Sequence, residues 1–69
     1  MGQMVKASSL SLGNYVRDPR RRDRILQVKE TGSSVFAQGI TEKTSKYHRF
    51  FSNDDVVEQV TNPTTEELS

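Results

Sequence analysis

The chain of 69 residues has no cysteine, no tryptophan, only two prolines and no long apolar run. Each absence removes a class of explanation. Without cysteine there is neither a disulfide framework nor a thiolate metal site to reinforce a small fold, which leaves oligomerisation as the available reinforcement. No stretch approaches the ~20 apolar residues of a membrane span, and "MGQMVKASSL" lacks the apolar segment of a signal peptide. Lys6 stands where a myristoylation motif starting at Gly2 requires Ser or Thr. The expectation is a cytoplasmic protein with no membrane contact.

Hydrophobic residues make up 32% of the chain, so the core must be thin and much of the polar remainder must lie in loops, tails or a solvated sheet face. Net charge is +1 but unevenly spread: residues 1–50 hold all ten Lys and Arg against four acids, while residues 51–69 hold five acids and no base. Such polarity makes either a basic binding face or two ends of one molecule that attract each other.

The chemistry-bearing residues are equally sparse. Nucleophilic catalysis needs a nucleophile with a base in reach, and the one histidine, His48, lies in the aromatic stretch "YHRFF", where it reads as a strand residue. A zinc site needs three or four ligands, which one histidine and scattered carboxylates do not supply. "NDD" at Asn53 to Asp55 lacks the glycine and spacing of a calcium loop, and the four glycines are isolated, so no phosphate-cradling loop is present. A noncatalytic protein without a cofactor or metal is expected.

Periodicity argues for strands. In "LSLGNYV", Leu10, Leu12 and Val16 share one parity, with Gly13 as a bulge. "DPRRRDRILQVKETG" has helix punctuation in Asp18, Pro19 and Gly32, yet Arg20 to Arg24 gives a helix nothing apolar to bury. A strand from about Arg24 to Glu30, with Leu26 and Val28 inward, resolves the conflict, and "RDPRRRD" becomes a loop. The "ETGSS" turn then joins it to "SVFAQGI" as a hairpin. "TEKTSK" reads as a polar turn, "YHRFF" as a further strand and "VVEQV" as a closing strand through Val57 and Val60.

Residues 1–9 are expected to form a flexible tail, residues 10–60 a small all-β domain, and residues 61–69 a second flexible tail too short for a stable helix. Five short strands fit an SH3-like barrel, or a strongly curled antiparallel sheet, closing on Leu12, Val16, Leu26, Val28, Val35, Ala37, Phe50 and Val57; an open sheet that dimerises through its exposed face is the alternative.

The strongest compositional feature is "VRDPRRRDRI", with Arg17, Arg20, Arg21, Arg22 and Arg24 in ten residues. Guanidinium forks suit phosphate, and with Arg49 and the aromatics Tyr15, Tyr47, Phe50 and Phe51 they form a candidate DNA- or RNA-binding surface. Against this, Asp18 and Asp23 bracket the cluster and can pair with it, which favours a solvated loop. Two functions stay open on these residues: a binding or adaptor module, and a self-associating protein that forms a homodimer through a sheet edge.

Two segments resemble small uncharacterised proteins of bacterial genomes and prophages. "LSLGNYV" (Leu10 to Val16) is similar to a first strand of Leu-x-Ile-Gly-Asn-x-Val type, and "DVVEQVTNPTTEEL" (Asp55 to Leu68) to an ending of Ile-Glu-Pro-Ile-x-Leu-Thr-Glu-Glu type that leads into a helix. The resemblance implies a β-rich, SH3-like module and assigns no site.

Overall fold

A computed structural model describes residues 2–68. Six strands form one antiparallel sheet: β1 (Gly2–Lys6), β2 (Tyr15–Arg17), β3 (Ile25–Glu30), β4 (Ser34–Gln38), β5 (His48–Ser52) and β6 (Val56–Val60). Their spatial order is β1-β6-β2-β3-β4-β5, so β2 to β5 meander and β6 returns beside β2. A 3-10 turn (Ala7–Ser9) follows β1, and one helical turn, α1 (Thr65–Leu68), follows β6.

The segment Asp18 to Gly32 is a loop followed by a strand, as the missing apolar stripe requires. Val16 pairs with Leu26, and Val28 with Ala37, so these four residues share the inner face with Val35, Phe51 and Val57. Ala7 and Leu10 complete this core. A bulge sets Lys29 and Glu30 of β3 against Phe36 of β4.

Two expected core residues lie outside. Leu12 is 64% exposed because Ser11 to Asn14 is a tight turn rather than strand: the Asn14 N–H donates to the Ser11 carbonyl (3.1 Å), and Gly13 takes φ of 89°. The turn breaks the parity that linked Leu10 to Leu12. Phe50 is 67% exposed, and its neighbour Phe51 fills the core instead. Adjacent phenylalanines give no parity signal, and pairing across the sheet decides it, because Val35 opposes Phe51 while Phe36 opposes Phe50.

Within the two expected tails, residues 2–9 and 65–68 form regular elements, and β1 makes the sheet six-stranded rather than five-stranded. Residues 2–6 form β1, which pairs with β6 in the register Val5 to Val57. Ala7 is then fully buried, and its N–H donates to the Asp55 carbonyl at 2.8 Å. Beyond β6, Thr64 and Glu67 make a reciprocal capping box: the Thr64 N–H donates to Glu67 Oε1 (2.9 Å) and the Glu67 N–H to Thr64 Oγ1 (3.1 Å). The resulting turn rests on β3, where Ile25 is buried on the face opposite Leu26. One helical turn is not stable alone, so this tertiary contact holds it.

Candidate functional site

The arginine loop is shaped by one buried carboxylate. The Asp18 N–H donates to the Arg24 carbonyl (3.0 Å), closing the loop, and the Arg24 N–H donates to the Arg21 carbonyl (2.9 Å). Asp18, fully buried, accepts from the Arg20 N–H (2.9 Å), Arg24 Nη1 (3.2 Å) and Arg49 Nε (3.0 Å). Burial pushes this carboxyl up, but the Arg20 N–H and the Arg49 guanidinium outweigh it and hold the group below the ordinary aspartate range. An unpaired charge at this depth would be costly, so Arg24 and Arg49 serve the fold first.

Arg17 and Arg22 are also engaged. Arg17 Nε meets Glu58 Oε2 at 3.2 Å and its Nη2 meets Glu67 at 3.5 Å, while Arg22 Nη2 meets Glu58 Oε1 at 2.6 Å. Desolvation raises Glu58, and the two guanidiniums more than reverse it; the Thr64 N–H leads the groups that hold Glu67 down. Glu58 and Glu67 thus neutralise two of the five arginines between Arg17 and Arg24.

What remains exposed is a different set. Arg20 makes no side-chain ion pair among the described residues, and Arg21 has only a 3.5 Å contact with Asp23, both side chains being mostly in solvent. Such surface pairs hold little. Arg21 shares a cleft of about 300 Å³ with Asp23, Arg24, Lys43, Thr44, Lys46 and Tyr47. Four cations therefore face one lining carboxylate. The Arg24 guanidinium lies 3.4 Å from the centre of the Tyr47 ring and forms a flat, fixed wall.

The opposite wall is rigid for a local reason. Thr41 and Thr44 bond each other reciprocally, the Thr41 N–H to Thr44 Oγ1 and the Thr44 N–H to Thr41 Oγ1, each at 3.1 Å. The Tyr47 N–H then donates to the Thr44 carbonyl at 2.9 Å. This knot presents Lys43 and Lys46, which lie about twenty residues beyond the arginines in "TEKTSK" and carry no local signal of a shared site.

The structure therefore divides the six arginines. Arg21 and Arg24 line the cleft, Arg20 is exposed on the same loop, Arg17 and Arg22 belong to the Glu58 network, and Arg49 supports Asp18. His48 lies elsewhere, on the outer face of β5 between Phe36 (ring centres 5.7 Å apart) and Phe50 (6.0 Å). Among the described residues no group of three or more His, Cys, Asp or Glu is placed to hold a metal ion, and no helix is long and apolar enough to cross a membrane. In comparisons with known proteins the chain matches no family model, no curated protein and no solved structure.

Proposed function

We propose that the protein is a noncatalytic binding module in which β2 to β6 form an SH3-like arrangement, and that it contacts the phosphate backbone of DNA or RNA through the basic cleft. The observation that carries this reading is the convergence of Arg21, Arg24, Lys43 and Lys46 from two separate loops on one concave surface with a single lining carboxylate. Like charges brought together on fixed loops repel one another, and a polyanion relieves that repulsion while releasing its own counterions. Arg21 gives an exposed planar donor and Lys43 and Lys46 compact point charges, a set that suits phosphate oxygens rather than base edges, while Arg24, held by Asp18, shapes the wall. The module would bind without sequence preference.

The test is titration of a short fluorescein-labelled DNA duplex, read by anisotropy at several salt concentrations. Saturable binding is expected, with each phosphate contact adding about 0.9 to the slope of log affinity against log salt. Replacing Arg21, Lys43 and Lys46 with Ala should flatten that slope and weaken binding to all sequences alike. Arg22→Ala, which removes a charge already held by Glu58, should change the slope far less. A wild-type protein that shows no saturable binding at about 0.15 M salt, or a triple variant that binds as well, refutes the reading.

A further inference from the structure

The sheet has two edges, β1 and β5, and they differ in how they are protected. The β1 edge ends in exposed Lys6, a charge that disfavours pairing with another strand. The outward side chains of the β4–β5 hairpin are Ser34, Phe36, Gln38, His48, Phe50 and Ser52, with no Lys, Arg, Asp, Glu or Pro among them. Phe36 and Phe50 have ring centres 4.8 Å apart, and Phe50 and His48 meet edge to face at 6.0 Å. An uncharged aromatic strip thus runs along an open strand.

The hydrogen-bonding phase of β5 follows from one bond. The Gly39 N–H of the β4 side donates to the Tyr47 carbonyl (3.0 Å), so that carbonyl and the backbone groups of Arg49 and Phe51 point toward β4. His48, Phe50 and Ser52 then point theirs outward. Asp55 occupies those of Ser52, its Oδ2 accepting from the Ser52 N–H and its own N–H donating to the Ser52 carbonyl (2.9 Å each). The edge left for pairing is therefore His48 to Phe50, where a long bond from Arg49 Nη1 to the His48 carbonyl (3.4 Å) must give way.

From this geometry we infer that a second copy of the chain pairs with β5, antiparallel and about a two-fold axis, to continue the sheet across a homodimer. Setting His48 of one copy opposite Phe50 of the other pairs the outward backbone groups on both sides, replaces the long Arg49 Nη1 bond to the His48 carbonyl with a ladder bond, and extends the ring row from Phe36 and Phe50 onto His48 of the second copy. Arg49 meets its counterpart on the inner face, where Asp18 holds each guanidinium at 3.0 Å. Charge selects this occupant: the strip offers nothing to a phosphate or a charged peptide, whereas an isologous interface needs only a surface complementary to itself. The inner residues Val35, Ala37 and Phe51 are buried in the core, so the edge is already ordered before pairing.

Sedimentation equilibrium on the full chain tests this, over about 1 μM to 1 mM, a range that spans dissociation constants of weak and moderate dimers. A monomer–dimer equilibrium is expected, weakened at least about tenfold by Phe50→Ser, because each copy loses an exposed aromatic contact rather than a core residue. Urea unfolding of the dilute variant should stay cooperative, its midpoint lowered only by the loss of the ring contacts with Phe36 and His48. Met4→Ser, on the opposite edge, should leave association unchanged, and hydrogen exchange of the His48 and Phe50 amides should slow as concentration rises. A wild type that stays monomeric throughout, or association that survives Phe50→Ser, overturns the inference.

Discussion

Replacing Asp18 with Asn keeps the side-chain shape and removes the charge around which the arginine loop is built. Asn can still accept from the Arg20 N–H, so the loss falls on the contacts to Arg24 (3.2 Å) and Arg49 (3.0 Å). Hydrogen bonds to charged groups contribute roughly 1.5–3 kcal/mol each, and stranding a buried charge costs about 3–5 kcal/mol. The Arg49 side chain is 30% exposed and the Arg24 side chain 11%, so water recovers part of the first and little of the second. The expected destabilisation is about 3 kcal/mol, a large share of the roughly 5–15 kcal/mol that holds a domain together.

Thermal unfolding at neutral pH should show a midpoint lowered by about 12–24 °C, since 1 kcal/mol shifts a domain of this size by about 4–8 °C. Acid supplies an independent check. The native Asp18 carboxyl lies below its ordinary value, so the unfolded chain takes up the proton first as pH falls. The stabilisation is complete above the ordinary aspartate value of about 4 and drains away as pH drops through the native one. The gap between wild type and Asp18→Asn should close over that window. Equal midpoints at neutral pH, or a gap that persists after the wild type has been fully protonated, would refute the role given to this carboxylate.

Two further substitutions probe the packing. Leu26→Ala, at a site with 0% exposure, should cost about 2–5 kcal/mol in urea unfolding, whereas Leu12→Ala, at 64% exposure, should stay within about 0.5 kcal/mol. Equal effects would show that the Ser11 to Asn14 turn is misplaced. Gly39→Ala sets a methyl group against the Thr44 backbone carbonyl, and overpacking of this kind costs about 1–3 kcal/mol. A neutral result in the same assay would mean that the lysine-bearing wall of the cleft yields easily.

Much of the β architecture was legible in the chain because its signals are local. An arginine run has nothing to bury, so it could not be the face of a helix, and the alternation of Leu26 and Val28 marked the inner side of β3. Phe50 and Phe51 show where local pattern fails, since either could face inward until β4 fixes the register. The candidate cleft was half legible. Arg21 and Arg24 stood out by composition, but Lys43 and Lys46 reach them only through the path of the β4–β5 connection.

What the sequence by itself determined was the set of strands in the middle of the chain and the total of charges, because side-chain periodicity and composition need no partner to be read. Which charges remain available was decided only by the tertiary structure. Glu58 and Glu67 lie more than thirty residues from Arg17 and Arg22, and Asp18 equally far from Arg49, yet each reaches its partner across the folded sheet. The same holds for β1 and α1, whose sequences are too weakly patterned to order themselves and acquire structure from the strands they touch. Electrostatic pairing and edge-strand hydrogen bonding act through space, and the distances along the chain carry no record of them.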